Sequence, residues 1–186
     1  MKKLLLILLA SLGVNAQTLF QENFDALGSP IALPTGWEMS NLSSPAGTAS
    51  WFRGNTASFT SYNGPEDGYI AVNYQSGSGT STLNNWLLSP PVTVQNGDEV
   101  SFYTRVPAGS TWPDRLQLRQ SVLGASSTAP TGLTGLGSYT TLCLSVNPSL
   151  TTTGYPDVWT KYTYVVTGLT GSVSCRYALR YTVSNG

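Results

Sequence analysis

The stretch "GDEVSFYTRVPAGSTWPDRLQLRQS", Gly97–Ser121, decides the fold. Apolar and polar residues alternate in it twice. Val100, Phe102, Thr104 and Val106 alternate with Ser101, Tyr103 and Arg105; further on, Leu116 and Leu118 alternate with Arg115, Gln117 and Arg119. A period of two is that of a strand with one face on a core and one face outward. Between the two runs lies "PAGSTWP", a loop bracketed by Pro107 and Pro113. The pattern predicts a hairpin whose three arginines share the outer face. In a symmetric register centred on Ser110, Arg105 comes to lie nearly opposite Arg115. Like charges directly opposite one another destabilise a sheet. Asp114, neighbouring loop acids and tyrosine hydroxyls, or a ligand, must then offset them.

Strand signals continue on both sides of this stretch. "STLNNWLLSPPVTV" (81–94) reads as a strand, a proline break and a second short strand; "YTTLCLSV" (139–146), "WTKYTYVVTG" (159–168) and "VSCRYALRYTV" (173–183) are further strands. Towards the N-terminus "TLFQENF", the turn "ALPTGWEMSN", "ASWFRGN" and "GYIAVNY" are shorter and more aromatic. Apolar residues nowhere recur with helical spacing, and Gly, Pro and Asn punctuate the runs. "GASSTAPTGLTGLGS" (124–138) is a Gly/Thr/Ser loop without periodicity. The expected class is all-β: a two-sheet antiparallel β-sandwich of the jelly-roll kind.

The chain begins with "MKK", continues with the apolar "LLLILLASLGV" and places small residues at Val14 and Ala16. That is the pattern of a secretory signal over 1–16 cleaved after Ala16, with 17–186 as one exported domain. The apolar run is too short to span a bilayer comfortably, and no second run of membrane-spanning length follows. Nine basic residues balance nine acidic ones. Without Lys2 and Lys3, seven basic residues face nine acids, and Lys161 is the one remaining lysine. A nucleic-acid partner needs a basic stripe, which is missing.

The chain contains no histidine, so Ser–His and Cys–His catalysis and His-ligated zinc are excluded. In "TLCLSV" Leu142, Leu144 and Val146 share a face, which turns Cys143 the other way, whereas Cys175 joins the apolar face of its own strand. On this reading the two thiols stay free and meet only through a bulge or a slipped register. Most acids flank turns ("GPEDG", "NGDE", "YPDVW"), which is loop chemistry. No pair of them sits where a glycosidase would need its two carboxyl groups. The expected protein is not an enzyme.

"FQENFDALGSPIALPTGWEMSN", "WFRGN", "GYIAVNY", "LNNWLLSPPVTVQNGDEVSFYTRV" and "PDRLQLRQS", in that order, resemble the choice-of-anchor J domain of Bacteroidetes surface proteins, a group similar to cleaved-adhesin and MAM-like jelly rolls. The resemblance covers essentially all of 17–186. It implies a secreted, non-catalytic adhesion or binding module at the cell surface, recognising an extracellular glycan or a surface protein. It also implies a further strand and a sorting or anchoring segment beyond "RYTVSNG", so that the strand "RYALRYTV" is expected to have an open edge.

Three sets of residues are candidates for a site. The resemblance implies calcium near the N-terminal strand, where Glu22 matches the family's acid; Asn23 and Asp25 stand beside it, and Glu66 and Asp67 of "PEDG" add oxygens of the kind a hard cation takes. Glu22, Asn23 and Asp67 are the expected ligands. Tyr103, Arg105, Trp112 and Arg115 are the expected ligand face. Their guanidinium forks suit an anionic or polyhydroxylated ligand, and Trp112 stands at the loop tip where burial is hard to arrange. Trp37 and Trp86 are expected in the core. Arg176 and Arg180 extend the basic surface. Two other functions remain open: a carbohydrate-binding module of a secreted glycan-degrading system, and a carboxylate-dependent hydrolase.

Overall fold

The computed structural model describes residues 17–28 and 30–186, so the expected signal segment and its expected cleavage site lie outside the described residues. Among the described residues eleven strands follow one another: β1 (Glu38–Asn41), β2 (Ser44–Ala46), β3 (Phe52–Arg53), β4 (Ile70–Ala71), β5 (Gly77–Leu88), β6 (Val92–Val94), β7 (Glu99–Thr104), β8 (Leu116–Ser121), β9 (Thr141–Val146), β10 (Thr160–Val165) and β11 (Val173–Val183). Among the described residues the only helical pieces are single 3-10 turns, Tyr74–Ser76 and Gly124–Ser126. No helix there is long and apolar enough to cross a membrane. The expected all-β class holds.

The larger sheet runs β1-β5-β11-β8-β9, with β2 added to β5 and β6 added to β11, and all its pairings are antiparallel. β7 and β10 form a second antiparallel sheet, and β3 and β4 a small ribbon. The sheets face one another as the alternation requires. Val100 and Phe102 of β7 and Tyr162 and Tyr164 of β10 pack onto Leu83, Leu87, Leu116, Leu118, Tyr177 and Tyr181 of the larger sheet. Interdigitated side chains between two inner faces are what a sandwich core consists of.

The hairpin expected over 99–121 does not form. β7 pairs with β10, and β8 pairs with β11 and β9. The segment between Thr104 and Leu116 crosses from one sheet to the other. Alternation fixes the face a residue takes and says nothing about which strand lies beside it, and both apolar faces are equally satisfied across the sandwich. Arg105 is therefore not opposite Arg115. The open edge expected beside "RYALRYTV" is also absent, because β11 is central, flanked by β5 and β6 on one side and β8 on the other. "TLFQENF" forms no strand.

Both cysteines are free, as expected, but the reason differs. The β8–β9 register shifts between Leu118 and Arg119. Cys143 thereby packs against the same cluster that contains Cys175. Burial there pushes the Cys143 thiol up to about 11.

The segment 122–140 is a lid on the outer face of the larger sheet. Trp86, Leu88 and Ala178 point outward from β5 and β11 and form, with Tyr139 of the lid, a further buried cluster flanked by Leu42 and Leu136. Trp86 and Tyr139 are completely buried. The sheet also grips the lid's backbone. Asn84 Nδ2 donates to Gly132 O (2.9 Å), Arg180 Nη2 to Leu133 O (3.0 Å) and Arg119 Nη1 to Tyr139 O (3.3 Å). Trp86 is thus a core residue, as expected, although its core lies outside the sandwich.

Candidate functional site

The exposed positions of β7 and β10 are Glu99, Ser101, Tyr103 on one strand and Lys161, Thr163, Val165 on the other. The register places Tyr103 directly beside Lys161 and Ser101 beside Thr163. Directly opposed side chains in an antiparallel pair are within contact of each other. A ring from elsewhere completes the surface. Tyr62, in the loop before β4, stacks on Tyr103 with centroids 3.8 Å apart and planes 17° from parallel. Tyr62 is 56% exposed and Tyr103 39%. The Tyr62 hydroxyl is raised above its ordinary value, first by the neighbouring Tyr103 hydroxyl; the Lys161 ammonium acts in the opposite direction.

Next along the face, the Arg105 guanidinium lies 4.6 Å from the centre of the Phe59 ring. Its Nε donates to Val106 O and its Nη2 to Asp157 O. Phe59 also meets Trp159 edge-on at 5.6 Å and stacks on Tyr69 at 5.0 Å. Trp159 Nε1 donates to Thr60 O (2.9 Å), which fastens the 55–62 loop to the sheet. Arg105 is thereby a brace between β7 and the 156–159 segment that carries its charge at the margin of the face. Beyond it opens a cleft of about 370 Å³ lined by Val106, Ser110, Thr152, Tyr155 and Asp157, among others.

The expected ligand residues therefore divide. Tyr103 and Arg105 share the β7–β10 face. Trp112, 76% exposed, stands on the loop whose Ser110 lines the cleft. Arg115 is on the other sheet, donating from Nε to Thr182 O (3.1 Å). Tyr62, Phe59 and Lys161 were not expected. Tyr62 and Phe59 sit in "SFTSYNGPEDG", where no period marks them. Lys161 did carry a signal, being the sole lysine after residue 16 and on the outward phase of its strand.

Several carboxylates are taken up by structural partners. Asp67 pairs with Arg53 through two bonds of 2.8 Å, Glu38 with Arg176 at 2.9 Å, and Asp98 accepts from Gln95 N at 2.8 Å. Asp114 accepts from the Tyr181 hydroxyl at 2.6 Å, and burial raises its carboxyl above the ordinary value.

Of the expected calcium ligands, Glu22 accepts from Phe24 N, Asn23 from the Gln21 amide, and Asp67 is occupied by Arg53. Among the described residues no three acidic or Cys side chains gather at metal distance. Asp25 fits a cation better than these three. Its Oδ1 is buried without a partner. Gly64 and Gly68 press on it so closely that a Cβ would come within 2.6 Å and 2.8 Å of that oxygen. Asp25 is the group that would hold the ion, between the N-terminal segment and the loop that carries Gly64 and Gly68.

The architecture recurs in a solved structure. The K1 cleaved adhesin domain of Lys-gingipain from Porphyromonas gingivalis W83 superposes with a TM-score of 0.50 at 17% identity, over 89% of this chain and 97% of that one. The K2 cleaved adhesin domain of Lys-gingipain covers 80% of this chain and 88% of its own at 16% identity, with a TM-score of 0.40. The chain thus has the sandwich fold of a cleaved adhesin domain. No family profile and no curated protein matches its sequence.

Proposed function

We propose that this protein is a secreted, non-catalytic binding module of a bacterial cell surface, and that it holds an extracellular glycan or surface protein against the outer face of β7 and β10. The observation that carries this reading is the Tyr62–Tyr103 stack beside Lys161. Exposed aromatic rings next to a cation offer an apolar plane, hydroxyl donors and a charge at one place, the combination found at binding hot spots. The fold shared with an adhesin domain supports the same reading, as do the acids, which are spread through turns and ion pairs rather than paired across a cleft. A choice-of-anchor J relationship and calcium held at Asp25 belong to this proposal.

Trp112 favours a second reading, a carbohydrate-binding module of a glycan-degrading system. A tryptophan exposed to this extent beside a hydroxyl-lined cleft is a stacking platform for a sugar ring. Binding of the purified protein to an array of extracellular glycans and to immobilised surface proteins tests both. Saturable binding without turnover supports a module, and dependence on Trp112 rather than Tyr62 selects the second reading. Release of cleaved glycan overturns both.

A further inference from the structure

Arginine is almost never buried without a partner acid. Two arginines of this protein obey that rule: Arg53 pairs with Asp67, and the buried Arg176 with Glu38. Three others on the outer face of the larger sheet do not. Arg180 of β11 lies opposite Gln117 of β8, with Arg119 two positions to one side and Arg115 two positions to the other. Diagonal neighbours of this kind are about 7–8 Å apart at Cα, well within reach of long side chains. Among the described residues none of the three forms an ion pair. Asp114, next to Arg115 in sequence, is committed to Tyr181 on the inner side.

What these guanidiniums do hold is neutral. Arg115 takes Thr182 O and Pro148 O, Arg119 takes the Gln117 amide oxygen and the carbonyls of Tyr139 and Thr140, and Arg180 takes Asn84 Oδ1 and Leu133 O. These bonds leave Arg115 Nη2, Arg119 Nη2 and Arg180 Nη1 free. None of those nitrogens is among the fully buried unpartnered atoms, so each keeps some solvent contact although Arg119 as a whole is only 8% exposed. Burial, and after it the fields of Arg119 and Arg115, pull the Arg180 guanidinium down to about 10. The fold therefore fixes three like charges in position through neutral acceptors of the sheet, the lid and the Asn147–Leu150 turn, and leaves one nitrogen of each without an acceptor.

We infer that Arg115, Arg119 and Arg180 form a binding site for a tetrahedral oxyanion, a sulfate group being the type, on the side of the sandwich away from the Tyr62–Tyr103 face. A doubly charged oxyanion supplies the acceptors and countercharge that no side chain provides, and planar forks already held in place lose little freedom on binding it. The inference stands independently of the proposed function.

The test is arginine Nε–Hε NMR on the 15N-labelled protein, with sodium sulfate replacing sodium chloride at constant ionic strength. The signals of Arg115, Arg119 and Arg180 are expected to move saturably, with Arg53 as an unmoved control. Arg115→Gln is expected to weaken the binding by tenfold or more. If that variant does not fold, Arg115→Lys, which keeps the charge and removes the fork, is expected to weaken it severalfold. A sulfated tetrasaccharide binding more tightly than sulfate ion identifies a glycan as the source of the group; equal affinity identifies the free ion. Absence of saturable movement, equal movement of Arg53, or unchanged affinity in both Arg115 variants would overturn the site.

Discussion

The guanidinium of Arg180 lies 4.9 Å from the centre of the Trp86 indole, and both residues bond to the same Asn84 oxygen, Arg180 from Nε at 2.7 Å and Trp86 from Nε1 at 3.1 Å. This cation–π pair is the floor beneath the lid, which Tyr139 closes from above with its ring centre 6.3 Å from that of Trp86. A cation held over an indole is attracted by the electron-rich face of the ring. The lid is consequently part of the folded core even though most of its side chains are small or polar.

Removing the lid's anchor should show this. Tyr139→Ala is expected to destabilise the protein by about 3 kcal/mol, the usual cost of deleting a buried aromatic ring. Amide exchange should accelerate over 132–140 first. Tyr139→Phe should cost nothing, because the hydroxyl is buried without a partner. Urea unfolding of the two variants together with hydrogen-exchange mass spectrometry checks both statements.

Asp114 makes stability depend on pH. Burial raises its carboxyl in the folded state, outweighing the bond from Tyr181. A group with a raised folded-state value contributes stability that is fully present below its unfolded value, about 3.9, and is lost as pH rises through the folded one. Asp114→Asn stays neutral and keeps an acceptor for Tyr181. It should therefore melt higher than the parent at about pH 7, with the difference closing below about pH 4. Paired thermal melts across that range decide it, and a constant difference would show that ionisation is not the cause.

Calcium at Asp25 has its own signature. An ion that binds only the folded state raises the melting temperature. A chelator should lower the midpoint of the parent and leave that of Asp25→Asn unmoved, whereas Glu22→Ala should still respond. A parent indifferent to both chelator and added calcium removes the ion from the account.

How much of this was legible in the sequence follows from what alternation encodes. The outward phase of Tyr103 and Arg105 and the inward phase of Val100 and Phe102 could be read from "EVSFYTRV", and the structure keeps both. The neighbour of β7 could not be read, because Val100 and Phe102 are buried equally well in a hairpin or across a sandwich. Arg115 was placed on the correct side of its own strand but beside the wrong partners. The lid was illegible for another reason: apart from Tyr139 and Leu136 it is held by its carbonyls, which every residue has. Cys143 was assigned to the wrong face because the register shift beside Arg119 leaves no mark in "TLCLSV".

The central claim is that the face bearing Tyr62, Tyr103 and Lys161 binds a ligand, and binding by the double variant Tyr62→Ala/Lys161→Gln tests it most directly. Both side chains are on the surface and remote from the sandwich core, where substitutions usually change stability by no more than about 0.5 kcal/mol. Binding to the glycan or surface protein identified on the arrays should fall at least tenfold, while the melting temperature stays within a few degrees of the parent. Full binding by a folded double variant would contradict the claim and leave the Tyr62–Tyr103 stack a structural contact alone.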